Sequence, residues 1–169
     1  MTDRLAVAER IGDLLADADQ TLATAESCTG GAVGSLVTDV SGASEYFDRA
    51  YVTYSYDAKL DLGVPRELLD EEGAVSEPVA AAMARGARDR AGTTWAVATT
   101  GIAGPTGGTP EKPVGTVFVG VAYAGPWGSG ESYATVERAT FEGDRRTIKE
   151  AIAEHALEVL ADEVLAVGQ

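Results

Sequence analysis

The apolar positions of this chain change period along its length, and the changes outline its elements. Over 3–18, Leu5, Ala8, Ile11, Leu14, Leu15 and Ala18 recur at helical spacing between acids and arginines, which predicts an amphipathic helix. A short β-branched run over 21–25 predicts a strand, and the small residues over 32–40 predict a helix. The turn cluster Ser41-Gly42-Ala43-Ser44 leads to YFDRAYVTY at 46–54, whose aromatic and β-branched content predicts a second strand. Ser55 caps a short helix through Leu62, and Pro65 opens another that ends at Gly73. Ser76 caps a longer helix, with Glu77 and Pro78 in its first turn and Gly92 beyond its end. WAVATT at 95–100 reads as a buried strand and runs into the turn-rich loop GIAGPTGGTPEKP at 101–113. Alternating segments at 114–123 and 131–141 predict two further strands, joined through a turn at 127–130. Asp144 caps a last helix reaching about Leu165 on Ile148, Ile152, Ala156, Val159, Leu160 and Val164.

Helices and strands mixed in this order predict an α/β fold, a three-layer α/β/α sandwich on a mixed, mainly parallel sheet. The two late strands in succession argue for some antiparallel pairing. Neither repeat nor linker divides the chain, so residues 1–169 read as one domain. No apolar run approaches the roughly 20 residues that span a bilayer, and the first ten residues lack a signal-peptide pattern, so a cytoplasmic location is expected.

Charge changes the picture more than composition does. There are 27 acids against 13 bases, a net charge of −14, and the only lysines are Lys59, Lys112 and Lys149. Such an excess repels nucleic acid and anionic membrane over most of the surface. Abundant acids with scarce lysine suit a protein working in high salt, where screening removes self-repulsion. A single cysteine, Cys28, excludes an internal disulfide and multi-cysteine zinc sites. The single histidine, His155, lies inside the last helix, which argues against a Ser-His-Asp triad and a histidine-rich metal site.

Four places carry candidate chemistry. Glu26-Ser27-Cys28-Thr29-Gly30-Gly31 stands at a strand-to-helix junction, where unpaired N–H groups favour an oxyanion or a phosphate. The same hexapeptide reads equally as a capping hydroxyl followed by chain-turning glycines. It has neither Walker spacing nor the GxSxG pattern, which leaves a phosphate-loop NTPase a weak reading. The glycine-proline loop after Thr100 and Gly101 would meet this junction if their strands are parallel neighbours. Lys59 follows a buried-type strand and has a base's chemistry if buried, or is one solvated lysine if not. Arg145 and Arg146 open a helix where cations oppose the dipole, which makes sense if one grips an anion. With histidine excluded, a hydroxyl or thiol activated by an amine remains, and a Ser-Lys pair fits.

Together these segments resemble the CinA C-terminal domain family. The resemblance runs from about residue 4 to 165 and rests on TAESCTGG at 24–31, VTYS at 52–55 leading to AK at 58–59, GAVSEPV at 73–79, TGIAGP with two glycines at 100–108, EKPVGTV at 111–117 and F-x-GDR at 141–145. It implies deamidation of nicotinamide mononucleotide to nicotinate mononucleotide and ammonia, in a stand-alone homo-oligomeric form without metal or organic cofactor. Ser27 then matches the nucleophile and Lys59 its base, with Tyr54 as a proton donor. By the same match Thr29, Gly30, Gly31, Thr100 and Gly101 fall on the pocket, and Arg145 meets the substrate's phosphate or ribose. The family's usual YSNEAK is YSYDAK here, so Tyr56 and Asp57 stand beside the expected base. Two alternatives follow: an amidase using Cys28, or a catalytically silent nucleotide-binding module.

Overall fold

The computed structural model describes residues 3–168. Helix α1 (Arg4–Ala18) begins at Asp3, whose carboxylate accepts from the Ala6 N–H. It leads through β1 (Leu22–Glu26), α2 (Ala32–Thr38) and β2 (Phe47–Val52) to the short helices α3 (Tyr56–Asp61) and α4 (Arg66–Glu72). Helix α5 (Glu77–Ala91), β3 (Trp95–Gly101), β4 (Thr116–Tyr123), β5 (Tyr133–Thr140) and α6 (Arg145–Val167) complete the order. The strands form one sheet in the order β2-β1-β3-β4-β5. Strand β1 is parallel to both β2 and β3, whereas β4 is antiparallel to both its neighbours. Four strands therefore share a direction and β4 reverses it, which is the mixed, mainly parallel sheet expected.

Three details differ from the sequence reading. Ser76 stands before α5, but its hydroxyl donates to the Gly73 carbonyl and does not cap the helix. Pro65 occupies the cap position of α4, one residue earlier than its first turn. Strand β4 is buried along nearly its whole length despite its alternating pattern, because helices cover both faces of the sheet centre.

The two faces pack differently. One carries α1, α2 and α6 against large side chains such as Leu22, Trp95, Val97, Val117, Val119 and Val121. The other presents Ala25, Ala96, Ala98 and Ala122 to α5. These alanines leave space that only a close helix fills. A Cβ added at Gly120 would lie 2.5 Å from the Ala80 carbonyl oxygen, and one at Gly86 of α5 would lie 2.1 Å from the Leu62 oxygen. The close seat of α5 fixes α3 and α4, and with them Lys59, relative to the strand ends. At the far end of the sheet, the turn joining β4 to β5 displays a fully exposed Trp127, whereas Trp95 at the start of β3 is buried.

Gly86→Ala and Gly120→Ala are each expected to destabilise the fold by about 1–3 kcal/mol through overpacking. Urea denaturation measures this, and an unchanged midpoint for both would mean that α5 is not seated as tightly as described.

Candidate active site

Ser27 follows β1 directly. Its N–H donates to the Thr99 carbonyl at 3.0 Å, and the Thr53 N–H donates to the Glu26 carbonyl at 2.8 Å, so the ladders on both sides run one step past the strands. Ser27 thus stands at the carboxyl ends of three parallel strands. From here α2 departs to one face of the sheet and α3 to the other. Departure to opposite faces opens a crevice, the usual ligand position in an open α/β sheet.

The turn that carries Ser27 is held by Glu26, which is fully buried. Its Oε1 accepts from the Thr29 hydroxyl at 2.6 Å, the Gly31 N–H at 3.2 Å and the Val33 N–H at 2.8 Å. Its Oε2 accepts from the Gly34 N–H at 3.0 Å. The carboxylate therefore closes the N-terminus of α2 with the charge that the helix end favours. Gly30 and Gly31 have φ of +59° and +106°, the conformation that folds the chain back over this carboxylate. Thr29 has one hydroxyl proton and gives it to Glu26, so the Thr99 hydroxyl, 2.8 Å away, donates to Thr29.

Lys59 lies in α3, whose first turn is capped by the Ser55 hydroxyl accepting from the Ala58 N–H. It is fully buried. Its Nζ is 2.8 Å from Ser27 Oγ, 2.7 Å from the Thr53 carbonyl and 3.1 Å from the Tyr54 carbonyl. With Cε these contacts fill the four directions of the nitrogen. As an ammonium, Lys59 donates to all three oxygens. As an amine, its two N–H bonds serve the carbonyls, which can only accept, and its lone pair faces the serine hydroxyl. Burial lowers the Lys59 pKa to about 8, with a smaller opposing effect from Cys28. Burial pushes the Cys28 thiol up to about 12, so the neighbour of Ser27 is held protonated.

A cavity of about 260 Å³ opens above this pair. Ser27, Cys28, Lys59, Thr100 and Gly101 form its inner end, Ala74, Val75 and the 102–107 loop its walls, and Tyr54 and Arg145 its rim. Arg145 donates to the Gly104 carbonyl at 2.7 Å and to the Tyr54 hydroxyl at 3.2 Å. The Thr100 hydroxyl donates to the Ala74 carbonyl, and Lys112 Nζ donates to the Val75 carbonyl at 2.6 Å. Cations on backbone carbonyls thus fasten both walls.

The fold brings together Ser27, Lys59, Tyr54, Thr100, Gly101 and Arg145 from the residues singled out in the sequence. Thr29, Gly30 and Gly31, also expected on the pocket, do not line this cavity. The N–H groups of α2 that were expected to serve an oxyanion or phosphate are occupied by Glu26. Tyr56 and Asp57 are exposed and do not line the cavity, and Tyr56 instead accepts from the Ala74 N–H through its hydroxyl. His155 packs edge-on against Phe141, away from the cavity. Sequence reasoning passed over Glu26, Ala74, Val75 and Lys112 as site-forming residues. For Glu26 a signal exists: an acid as the last strand residue, followed within five positions by two glycines and a helix.

The model of the CinA C-terminal domain family matches residues 4–164. A CinA-like protein of Geotalea daltonii is 51% identical over 147 residues, covering 86% of this chain and 34% of the relative. A CinA-like protein of Chlorobaculum tepidum is 50% identical over 159 residues, covering 92% and 37%. The chain thus spans about a third of the length of these curated relatives. Among solved structures, the competence/damage inducible protein CihA from Agrobacterium tumefaciens superposes with a TM-score of 0.89 at 38% identity, covering 100% of this chain and 98% of that one. A competence-damaged protein (CinA) superfamily protein from Enterobacter cloacae gives 0.88 at 30% identity, covering 97% and 94%.

Glu26→Gln turns an amide N–H toward a set of donors and is expected to lower stability by about 2–4 kcal/mol. Thr29→Val, which removes the hydroxyl between Glu26 and Thr99, should lower it by about 1–2 kcal/mol. Both are read by urea denaturation, and a Glu26→Gln protein as stable as wild type would show that the carboxylate is dispensable to the turn.

Proposed function

The chain belongs to the CinA C-terminal domain family, and on that premise we propose that it hydrolyses the carboxamide of nicotinamide mononucleotide to nicotinate mononucleotide and ammonia. The observation that carries this reading is the buried Lys59 amine 2.8 Å from Ser27 Oγ at the inner end of a cavity. A serine hydroxyl is a weak nucleophile until a base takes its proton, and a lysine titrating near 8 supplies that base close to neutral pH.

In the proposed sequence, neutral Lys59 accepts the Ser27 proton as Oγ attacks the carboxamide carbon. The resulting ammonium keeps two N–H bonds on the Thr53 and Tyr54 carbonyls and directs the third toward the reacting centre, where it protonates the carboxamide nitrogen so that the C–N bond breaks and ammonia leaves. Water then attacks the acyl-serine while Lys59 takes its proton, and Lys59 returns that proton to Ser27 Oγ as the acyl C–O bond breaks and the acid is released. Tyr54 stands at the cavity rim, 63% exposed, with its hydroxyl accepting from Arg145, whereas Lys59 reaches Ser27 directly and is the nearer proton donor. The raised pKa of Cys28 opposes a thiolate mechanism. The exposed positions of Tyr56 and Asp57 leave the pair itself undisturbed by the YSYDAK departure.

Ammonia release from nicotinamide mononucleotide tests the assignment. Ser27→Ala should reduce kcat by on the order of 10³-fold or more while the fold survives, and Cys28→Ala should retain turnover. The opposite pattern would move the nucleophile to the thiol, and no release by folded wild-type protein would remove the reaction.

The pH dependence has a fixed sign. Lys59 works in its unprotonated form, so kcat should rise with pH through about 8 and level off above it. A profile that falls across this window would exclude a lysine base. Stability should follow the same direction. Burial holds the Lys59 pKa below its ordinary 10.5, so the unfolded chain binds more protons between about 8 and 10.5. The contribution of Lys59 is then present above 10.5 and lost as pH falls to about 8.

A further inference from the structure

A second cleft of about 380 Å³ lies beside the cavity and shares Arg145 with it. Its wall consists of Ala32, Arg145, Arg146, Lys149 and Glu150. Lys149 reaches back over the nucleophile turn, since a Cβ built on Gly30 would lie 3.7 Å from its Nζ. Three cationic side chains thus gather within five residues of a chain whose net charge is −14.

Helix stability does not account for this gathering. The first turn of α6 contains no acid, although the chain has 27, and it begins with two arginines that oppose the helix dipole. Neither do ion pairs account for it. Arg146 meets Glu150 at 3.4 Å with its side chain 91% exposed, an arrangement of little energetic weight. Glu150, the one acid in the cleft wall, is also held by Arg4 at 3.3 Å from the opposite side.

The role of Arg145 follows from its bonds. Its guanidinium is fastened to the Gly104 carbonyl and the Tyr54 hydroxyl and forms the partition between the two spaces. The usual alternative for an anion near Ser27, the N-terminus of α2, is closed by Glu26.

We propose that this cleft binds the phosphate of a ribosyl phosphate substrate whose amide end reaches Ser27, with Arg146 and Lys149 as the phosphate ligands and Arg145 as the partition between ring and phosphate. The proposal deepens the deamidase reading and rests on it for the identity of the amide. It assigns the choice of a phosphorylated substrate over its nucleoside to two residues beyond the cavity rim.

Ser27→Ala protein permits the test by calorimetry without turnover, at one fixed ionic strength because exposed charges are screened. Nicotinamide mononucleotide, nicotinamide riboside and ribose 5-phosphate are the probes. The mononucleotide should bind at least about tenfold more tightly than the riboside, as expected for charge-assisted phosphate contacts. Adding Arg146→Ala and Lys149→Ala should remove that difference while riboside affinity stays the same. A phosphate preference that survives both substitutions, in protein with an unchanged circular dichroism spectrum, overturns the proposal. If neither nicotinamide compound binds, the deamidase reading fails and ribose 5-phosphate decides the cleft by itself. Binding that is lost in the double substitution upholds the phosphate site, and no binding to the parent protein overturns it.

Discussion

The turn that carries Ser27 depends on a carboxylate buried beneath it. Glu26 ends a central strand, and its side chain turns under the following residues to accept from Thr29, Gly31, Val33 and Gly34. A charge so deeply buried is tolerated only when donors surround it, and a helix terminus with free N–H groups supplies them. The same contacts determine where Ser27 faces. With α2 tied to the strand end, the Ser27 hydroxyl is left on the side where Lys59 stands. An internal anion at the helix terminus also occupies the N–H groups there, so the placement of Ser27 and the closing of the helix end share one cause.

The opposite half of the site is set by packing. Helix α5 rests on Ala25, Ala96, Ala98 and Ala122, with Gly86 and Gly120 at the closest approaches. Small residues allow a short distance between helix and sheet, and close packing makes that distance hard to change. The short helix carrying Lys59 is trapped between this layer and the strand ends. Its Nζ reaches Ser27 from a buried position, and burial is also why its proton is weakly held.

Much of this was legible before any coordinates. Periodicity located the elements because each has one period and clear punctuation, such as Asp144 before α6 and Gly92 after α5. Scarcity drew attention to Lys59, and elimination of histidine chemistry favoured an amine as base. The role of Glu26 was hidden because a strand residue capping the next helix requires the chain to fold back, and no local pattern states that fold-back. Ala74 and Val75 were hidden for a related reason. They line the cavity through contacts with distant segments, the Ala74 carbonyl accepting from the Thr100 hydroxyl and the Val75 carbonyl from Lys112. Thr29, Gly30 and Gly31 do not line the cavity, and no local pattern tells glycines that let a backbone approach a ligand from glycines that let it approach its own carboxylate.

The polarity of the sheet puts the candidate site at one end of the molecule and an exposed hairpin at the other. The serine, the lysine and both clefts occupy one end, whereas the glycine-rich hairpin around Trp127 projects from the other. Strands β3, β4 and β5 separate them along their full length. A surface tether, an affinity label or a fused protein attached at that hairpin would leave the chemistry facing solution. Trp127 provides an optical marker there that is independent of the buried Trp95, so the two indoles would report separately on the attachment and on the integrity of the interior.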